Sequence, residues 1–235
     1  MIRVARANGA AEIRLVYLRD YAQDNHRSID DYPYGGGPGM ILKVEPVARA
    51  IDSLPPPVGP RRETILLSPQ GERLDQGLVR QILEAQDVVL LSGRYKGVDE
   101  RIRTFVTREV SLGDYILSGG ELAALVLIDA MVRLLPGVLS DLDSAMGDSF
   151  ESGLLDCSYY TRPEEFRGMR APAVLLSGDH GAVNRWRRGD ALARTLRRRP
   201  DLLAEARLAD EDHEVLAELG WSGARPVRRG KRTKH

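Results

Sequence analysis

Residues 64–93 read TILLSPQGERLDQGLVRQILEAQDVVLLSG, and this stretch decides the fold. Thr64-Ile65-Leu66-Leu67-Ser68 is a short apolar run rich in β-formers, followed by Pro69-Gln70-Gly71. Residues 74–86 carry Leu74, Leu78, Ile82 and Leu83 at helical spacing. Residues 87–93, DVVLLSG, form a second buried-strand pattern that ends in glycine. Strand, helix, strand at this spacing predicts a βαβ unit, hence a parallel sheet covered on both faces.

Working outward, AEIRLVYLRDY (11–21) alternates Ile13, Leu15 and Tyr17 with other residues, which predicts a strand with one wetter face. The polar stretch DNHRSIDDYPYGGGPGM (24–40) reads as a loop, and LKVEPVARAIDSL (42–54) as a helix. PPPVGPRRE (55–63) breaks the pattern. EVSLGDYILSGG (109–120) is mixed and ends rich in glycine. ELAALVLIDAMVRLLPGV (121–138) predicts a long apolar helix stopped by Pro136-Gly137. Apolar residues cover most of its circumference, which implies burial against a second subunit as well as its own sheet. LSDLDSAMGDSFESG (139–153) reads as a linker. Beyond it, residues 182–199, 199–208 and 210–221 are predicted helical.

The resulting organisation is an α/β domain over residues 1–139, a linker over 140–150 and a mainly α domain with a basic tail over 151–235. A length of 235 residues suits this. No run of about 18 apolar residues occurs, so no membrane span is expected. The opening MIRVARANGA lacks the apolar core of a signal peptide. Cys157 is the single cysteine, which excludes an internal disulfide framework. A cytoplasmic protein is the expectation.

Net charge is +0, from 34 basic and 34 acidic residues. The average conceals a split. Residues 1–148 hold 17 basic and 21 acidic residues, and residues 149–235 hold 17 and 13, so the nets are −4 and +4. Arg185, Arg187, Arg188, Arg194, Arg197, Arg198 and Arg199 cluster in the second part, and the tail VRRGKRTKH adds to them. A polyanion partner and a solvated helix face with a free tail both fit this pattern.

Three glycine-bearing loops follow apolar runs: Ser68–Gly71, Ser92–Gly97 and Leu117–Glu121. In open parallel sheets, ligands bind at the carboxyl ends of strands, where glycine lets the backbone approach closely. Turns alone explain any one loop; three together point to a small-molecule site. None is a dinucleotide fingerprint or a phosphate-binding P-loop. His26, His180, His213 and His235 show no metal-ligand spacing, so no metal residue is assigned. No G-x-S-x-G occurs, so serine hydrolase chemistry has no support. Asp148 lies in the polar linker. It fits either a general base in a cleft or a solvated linker acid or helix cap.

Seven segments then carry a resemblance: DDYPYGGGPGM, LSPQGERLDQ, SGRYKGVDERI, SLGDYILSGGELAALVLIDAMVRLLPGVL, DSFESGLLDC, YTRPEEFRGM and LLSGDHGAVNRWR. In this order they closely resemble the bacterial tRNA (guanine-N1)-methyltransferase family, TrmD, of the SPOUT superfamily, from about Val4 to about Leu202. The resemblance implies a SPOUT-type parallel sheet with a deep trefoil knot and a small, mainly α C-terminal domain. It implies a homodimer with a shared active site, acting on tRNA at N1 of the guanosine just 3′ of the anticodon, position 37. S-adenosylmethionine is the implied methyl donor, with magnesium as a possible companion.

Carried over by motif, the donor pocket involves Leu66, Leu67, Ser68, Pro69 and Gln70; Gly93, Tyr95 and Gly97; and Leu112, Gly113, Asp114, Tyr115, Ile116, Leu117, Gly119 and Gly120. Asp148 matches the family's general base. Arg133 matches a residue that stabilises charge developing on guanine O6. The C-terminal arginines would grip anticodon-stem phosphates.

Two departures stand out. The family opens with another strand and helix carrying a Phe-Pro-x-Met-Phe-like stretch, and this sequence begins after it. Lys96 stands where the family commonly has Glu, a charge reversal in the donor loop that would alter donor affinity or metal dependence. The alternatives are an impaired tRNA-binding relic, owing to the missing opening segment, and a methyltransferase for another RNA site.

Overall fold

A computed structural model describes residues 1–139 and 148–223. The chain divides into two compact units, 1–142 and 143–235. The predicted linker therefore falls largely outside the described residues, and so does the basic tail.

The first unit is built on a three-stranded sheet in the order β4-β3-β5. Strand β3 spans Arg61–Arg73, β4 spans Gln86–Ser92 and β5 spans Arg108–Ser111. Both neighbours run parallel to β3. Helix α3 (Gln76–Leu83) makes the crossover from β3 to β4, and Asp75 caps it by accepting from the Leu78 N–H at 2.8 Å. The expected strand–helix–strand unit is present.

Alternate side chains of β3 enter different cores. Ile65 and Leu67 pack with Val79, Ile82 and Val110, and with Leu127 of α4 (Glu121–Val132). Leu66 packs on the opposite face with Leu91, Ile102 and Val47 of α2 (Val44–Asp52). Burial on both faces explains the unbroken apolar run in the sequence. Helix α1 (Ile2–Ala7) places Ala5 against Val132 and Val138, below the end of α4. Asn8 Nδ2 donates to the Gly137 carbonyl at 2.7 Å and fastens that corner.

Three expectations need correction. Residues 11–17 carry no strand; a short 3-10 helix (Leu18–Tyr21) follows them. Leu15 is 96% exposed, so its alternation does not mark a buried face. Secondly, Ser68–Gly71 is not a loop after the strand but a bulge within it. Leu67 and Glu72 both register on Val110, so the four residues between them are excluded from the ladder. A Cβ on Gly71 would lie 2.4 Å from Val110 N and 2.5 Å from Glu109 C, so the backbones meet only because this residue is glycine. Thirdly, of the helix expected over 199–208 only a 3-10 segment, Pro200–Ala204, forms.

The loop 24–40 contributes one two-residue strand, β1 (Asp30–Asp31), antiparallel to β2 (Ile41–Leu42).

Among the described residues the second unit has a hairpin, β6 (Glu165–Phe166) with β7 (Met169–Arg170), and two α-helices. Helix α5 spans His180–Arg198 and α6 spans Asp210–Glu218. Their core is Leu154, Leu192, Leu203, Ala206 and Leu216. No helix among the described residues is long and apolar enough to cross a membrane.

Candidate functional site

The sheet register brings the three glycine-bearing segments to one edge. Leu67 pairs with Ser92 on one side and Val110 on the other. Ser68 in β3, Gly93 after β4 and Leu112 after β5 therefore lie at adjacent positions, where β4 and β5 reach their carboxyl ends and β3 bulges out of the ladder. This is the location where open α/β sheets take ligands.

The segment after β5 crosses this edge. It starts beside β3 and ends on β4, where the Gly120 N–H donates to the Gly93 carbonyl at 2.9 Å and Arg94 bridges Gly119. A Cβ on Gly120 would stand 2.8 Å from Ser92 Cα, so glycine permits this crossing. From the other side, the Leu42 N–H donates to the Gly97 carbonyl and the Lys96 N–H to the Met40 carbonyl, both at 3.0 Å. The middle loop is thus held on both flanks.

Within this arrangement the sequence-assigned residues divide into types. Leu66 and Leu67 are buried in the two cores, so only their backbone can face a ligand. Leu112 packs against the first core, and Gly113 is buried with φ +152. Ser111 Oγ accepts from the Gly113 N–H at 3.2 Å, and the Tyr115 N–H turns back onto the Gly113 carbonyl at 2.9 Å. Asp114, Tyr115, Ile116 and Leu117 are exposed, and Ile116 is 80% so. Pro69, Gln70 and Tyr95 are exposed too, with Tyr95 at φ 60. Backbone donors and acceptors beside exposed apolar side chains suit a flat heterocycle with polar edges.

Arg133 is the C-cap of α4 in the first unit, and it is half-buried. Asp148 opens the described part of the second unit, also half-buried, and its carbonyl accepts from the Glu151 N–H at 3.3 Å.

The arginines of α5 and its C-cap Arg199 separate into two groups. Arg188 grips Asp212 with two hydrogen bonds, 2.8 and 2.6 Å, while Asp212 also accepts from the Ala209 N–H at 2.8 Å. The hydrogen bonds from Arg188 hold the buried Asp212 carboxyl below its ordinary range, against the opposing effect of burial. Arg194 bonds Ser158, and Arg199 grips Asp201 at 2.9 and 2.6 Å. Arg185, Arg187, Arg197 and Arg198 are exposed and carry no ion pair among the described residues. Residues 187, 194 and 198 recur at spacings of seven and four, so they share one face of α5.

The family model for tRNA (Guanine-1)-methyltransferase TrmD matches residues 1–205 of this sequence. The chain belongs to this family. It is 52% identical over 221 residues to the tRNA (guanine-N(1)-)-methyltransferase of Moorella thermoacetica, covering 93% of this chain and 88% of the relative. The protein of the same name from Dictyoglomus turgidum is 47% identical over 219 residues, again 93% and 88%. That from Geobacter metallireducens is 50% identical over 220 residues, 93% and 89%.

For a TrmD member, magnesium is a natural question. Among the described residues no group of three His, Cys, Asp or Glu could hold a metal ion. The acid joining the second and third loops, Glu121, is already bonded to Arg94 Nε at 2.7 Å. Its own backbone N–H and then Arg94 keep its carboxyl below the usual range. Lys96 adds a cation to the same loop, exposed, its stem lying over Gly39. These residues do not fit a metal held by protein carboxylates, and no step is assigned to one.

Sequence reading missed the ion-pair network beside the first loop: Arg103, Glu109, Arg108, Glu63 and Thr107. Arg103 bonds Gln70 and Glu109. Thr107 bonds the buried Glu63. The one local signal was Glu63 preceding an apolar strand, and it does not name its partners.

Proposed function

We propose that this TrmD family member transfers the methyl group of S-adenosylmethionine to N1 of the guanosine immediately 3′ of the anticodon in tRNA. The convergence of the Ser68–Gly71 bulge and two glycine-bearing loops at one edge of the sheet carries this reading. Backbone groups of Ser68–Gln70, Gly93–Gly97 and Leu112–Gly120 would hold the donor's adenosyl part, flanked by Ile116 and Leu117. Gly71 and Gly120 support the fit, because a Cβ at either would collide with the backbone that shapes the edge.

The donor supplies an electrophilic methyl group on a sulfonium. Asp148 accepts the proton from guanine N1, which makes N1 nucleophilic. The Arg133 guanidinium offsets the negative charge that this leaves on O6. The new bond joins N1 to the methyl carbon, and the pair from the broken carbon–sulfur bond stays on sulfur. No covalent enzyme intermediate is needed. The target base must leave its stack to reach such a site.

We further propose a homodimer. Leu122, Leu125 and Val126 of α4 are 60%, 52% and 50% exposed in the single chain, an apolar face that a second copy would cover. The segment crossing from β5 to β4 is compatible with the knot of SPOUT enzymes. The two parts take an N-terminal catalytic role and a C-terminal tRNA-binding role in the cytoplasm, with the exposed Arg185, Arg187, Arg197 and Arg198 meeting phosphates.

Labelled donor and tRNA transcripts carrying guanine or adenine at the target position test the reading. Incorporation is expected only with guanine. Asp148→Asn should lower turnover by about 10³-fold, while donor affinity stays within about twofold. Near-normal turnover in that variant would remove Asp148 as the base, and incorporation independent of the target guanine would point to another site.

A further inference from the structure

The Ser68–Gly71 bulge has no ladder partner, since β3 leaves β5 after Leu67 and rejoins it at Glu72. Something else must hold its shape. One tie is internal: Ser68 Oγ accepts from the Gln70 N–H at 3.2 Å. The other comes from outside the strand. Arg103, on the 3-10 helix Glu100–Phe105, donates through Nη2 to Gln70 Oε1 at 2.6 Å.

Arg103 is itself fixed. Its Nη1 bonds Glu109 Oε1, and its Nε faces Glu100 Oε1 at 2.8 Å. The Glu109 carboxylate that accepts from it, and then the nearby Glu100 carboxylate, strengthen its hold on the proton. Glu109 lies on β5, directly before Val110, the residue to which both ends of the bulge register. The path Gln70–Arg103–Glu109–Val110 therefore closes a ring around the excluded residues. The planar guanidinium fork serves two partners at once, which a single ammonium does not do in the same geometry.

We infer that Arg103 is a positioning residue for the methyl-donor pocket: it clamps Gln70 and thereby sets the Ser68–Gly71 wall relative to β5. The inference rests on the proposed reading of that wall as part of the donor site. It also assigns Gln70 a divided role. The amide oxygen is committed to Arg103, leaving the amide NH₂ and backbone for the ligand.

The contribution is to preorganisation, so it belongs to donor binding and not to the chemical step. Arg103→Lys keeps a cation beside Glu109, whose second oxygen is buried without a hydrogen-bond partner, and gives up the fork. Titration with S-adenosylhomocysteine, alongside donor KM and kcat, reads the effect. Arg103→Lys and Gln70→Met should each weaken binding and raise donor KM about fivefold or more, with kcat within about twofold. The double variant should be no worse than either single one, because both remove the same contact. Arg108→Lys, altering a neighbouring cation paired with Glu72 and Glu63, should leave the affinity unchanged.

Unchanged affinity in Arg103→Lys, additive losses in the double variant, or equal losses in Arg108→Lys would overturn the clamp while leaving the pocket in place. A parent chain that does not bind the probe would overturn the pocket and the clamp together.

Discussion

The two units place their arginines differently. In the first, Arg62 grips Asp87 at 3.0 and 2.8 Å, Arg101 grips Asp99 at 2.9 and 2.7 Å, and Arg94, Arg103 and Arg108 each meet a glutamate. These guanidinium groups tie strands and loops to one another around the sheet edge where we propose that the donor binds. In the second unit Arg188 and Arg199 are tied in the same way, while Arg185, Arg187, Arg197 and Arg198 face solvent. A small, flat ligand is read by fixed main-chain groups at short range. A long polyanion is met by extended side chains on a helix face, where reach matters more than fixed geometry.

The contrast between fixed and reaching groups can be tested from its most sensitive point. Glycines probe it directly. Gly71→Ala forces a Cβ against three backbone atoms of Glu109 and Val110 and should cost about 2–3 kcal/mol in denaturant unfolding, with at least about tenfold weaker donor binding. Gly189, inside α5, meets nothing within 4 Å, so Gly189→Ala should instead stabilise by about 0.5–1 kcal/mol and leave donor binding alone. Equal responses at the two sites would erase the distinction.

Next comes the tied arginine of the second unit. Arg188→Met leaves the buried Asp212 without its cation and should cost about 2 kcal/mol at neutral pH. The folded carboxyl titrates below its unfolded value. The stability it contributes is therefore present above about pH 4 and fades as pH falls through the folded pKa. Urea midpoints measured between neutral and acid pH should show this acid-dependent loss in the parent and much less of it in the variant.

The smallest expected effect is at the solvent-facing cations. Arg187→Gln and Arg198→Gln should each weaken tRNA binding several-fold and lower the slope of log affinity against log salt by about 0.7–0.9. Folding stability should stay within about 0.5 kcal/mol. Arg199→Gln, whose parent side chain is engaged with Asp201, should change the slope less. A uniform slope change across all three would mean that the ion pairs do not sort these residues.

Legibility in the sequence followed burial. The cores of β3 and β4 were visible because strands covered on both faces carry unbroken apolar runs. Helices α2, α3 and α5 were visible from spacing and from stops such as Pro55. Alternation failed at Ile13–Tyr17 because it records which side chains are apolar and not whether a pairing strand exists. The all-round apolar character of α4 was legible, and the structure divides it. Ala123 and Leu127 face the core, and Leu122, Leu125 and Val126 face outward. The glycine loops were legible as turns near strand ends. Their meeting at one edge was not, because it depends on the register Leu67–Ser92 and Leu67–Val110.

The amino-acid sequence by itself determined the βαβ unit, the family and the concentration of positive charge after Asp148. Local periodicity and ordered motifs are properties of neighbouring residues and survive in one dimension. Tertiary structure alone decided that Ser68–Gly71 bulges within a strand and that Gly120 closes onto Gly93. It also decided which arginines hold the fold and which reach outward. These outcomes are contacts between distant positions: Gln70 and Arg103 are 33 residues apart, and Glu63 and Thr107 are 44. A charged side chain gives no sign in the sequence of which opposite charge the fold will bring to it.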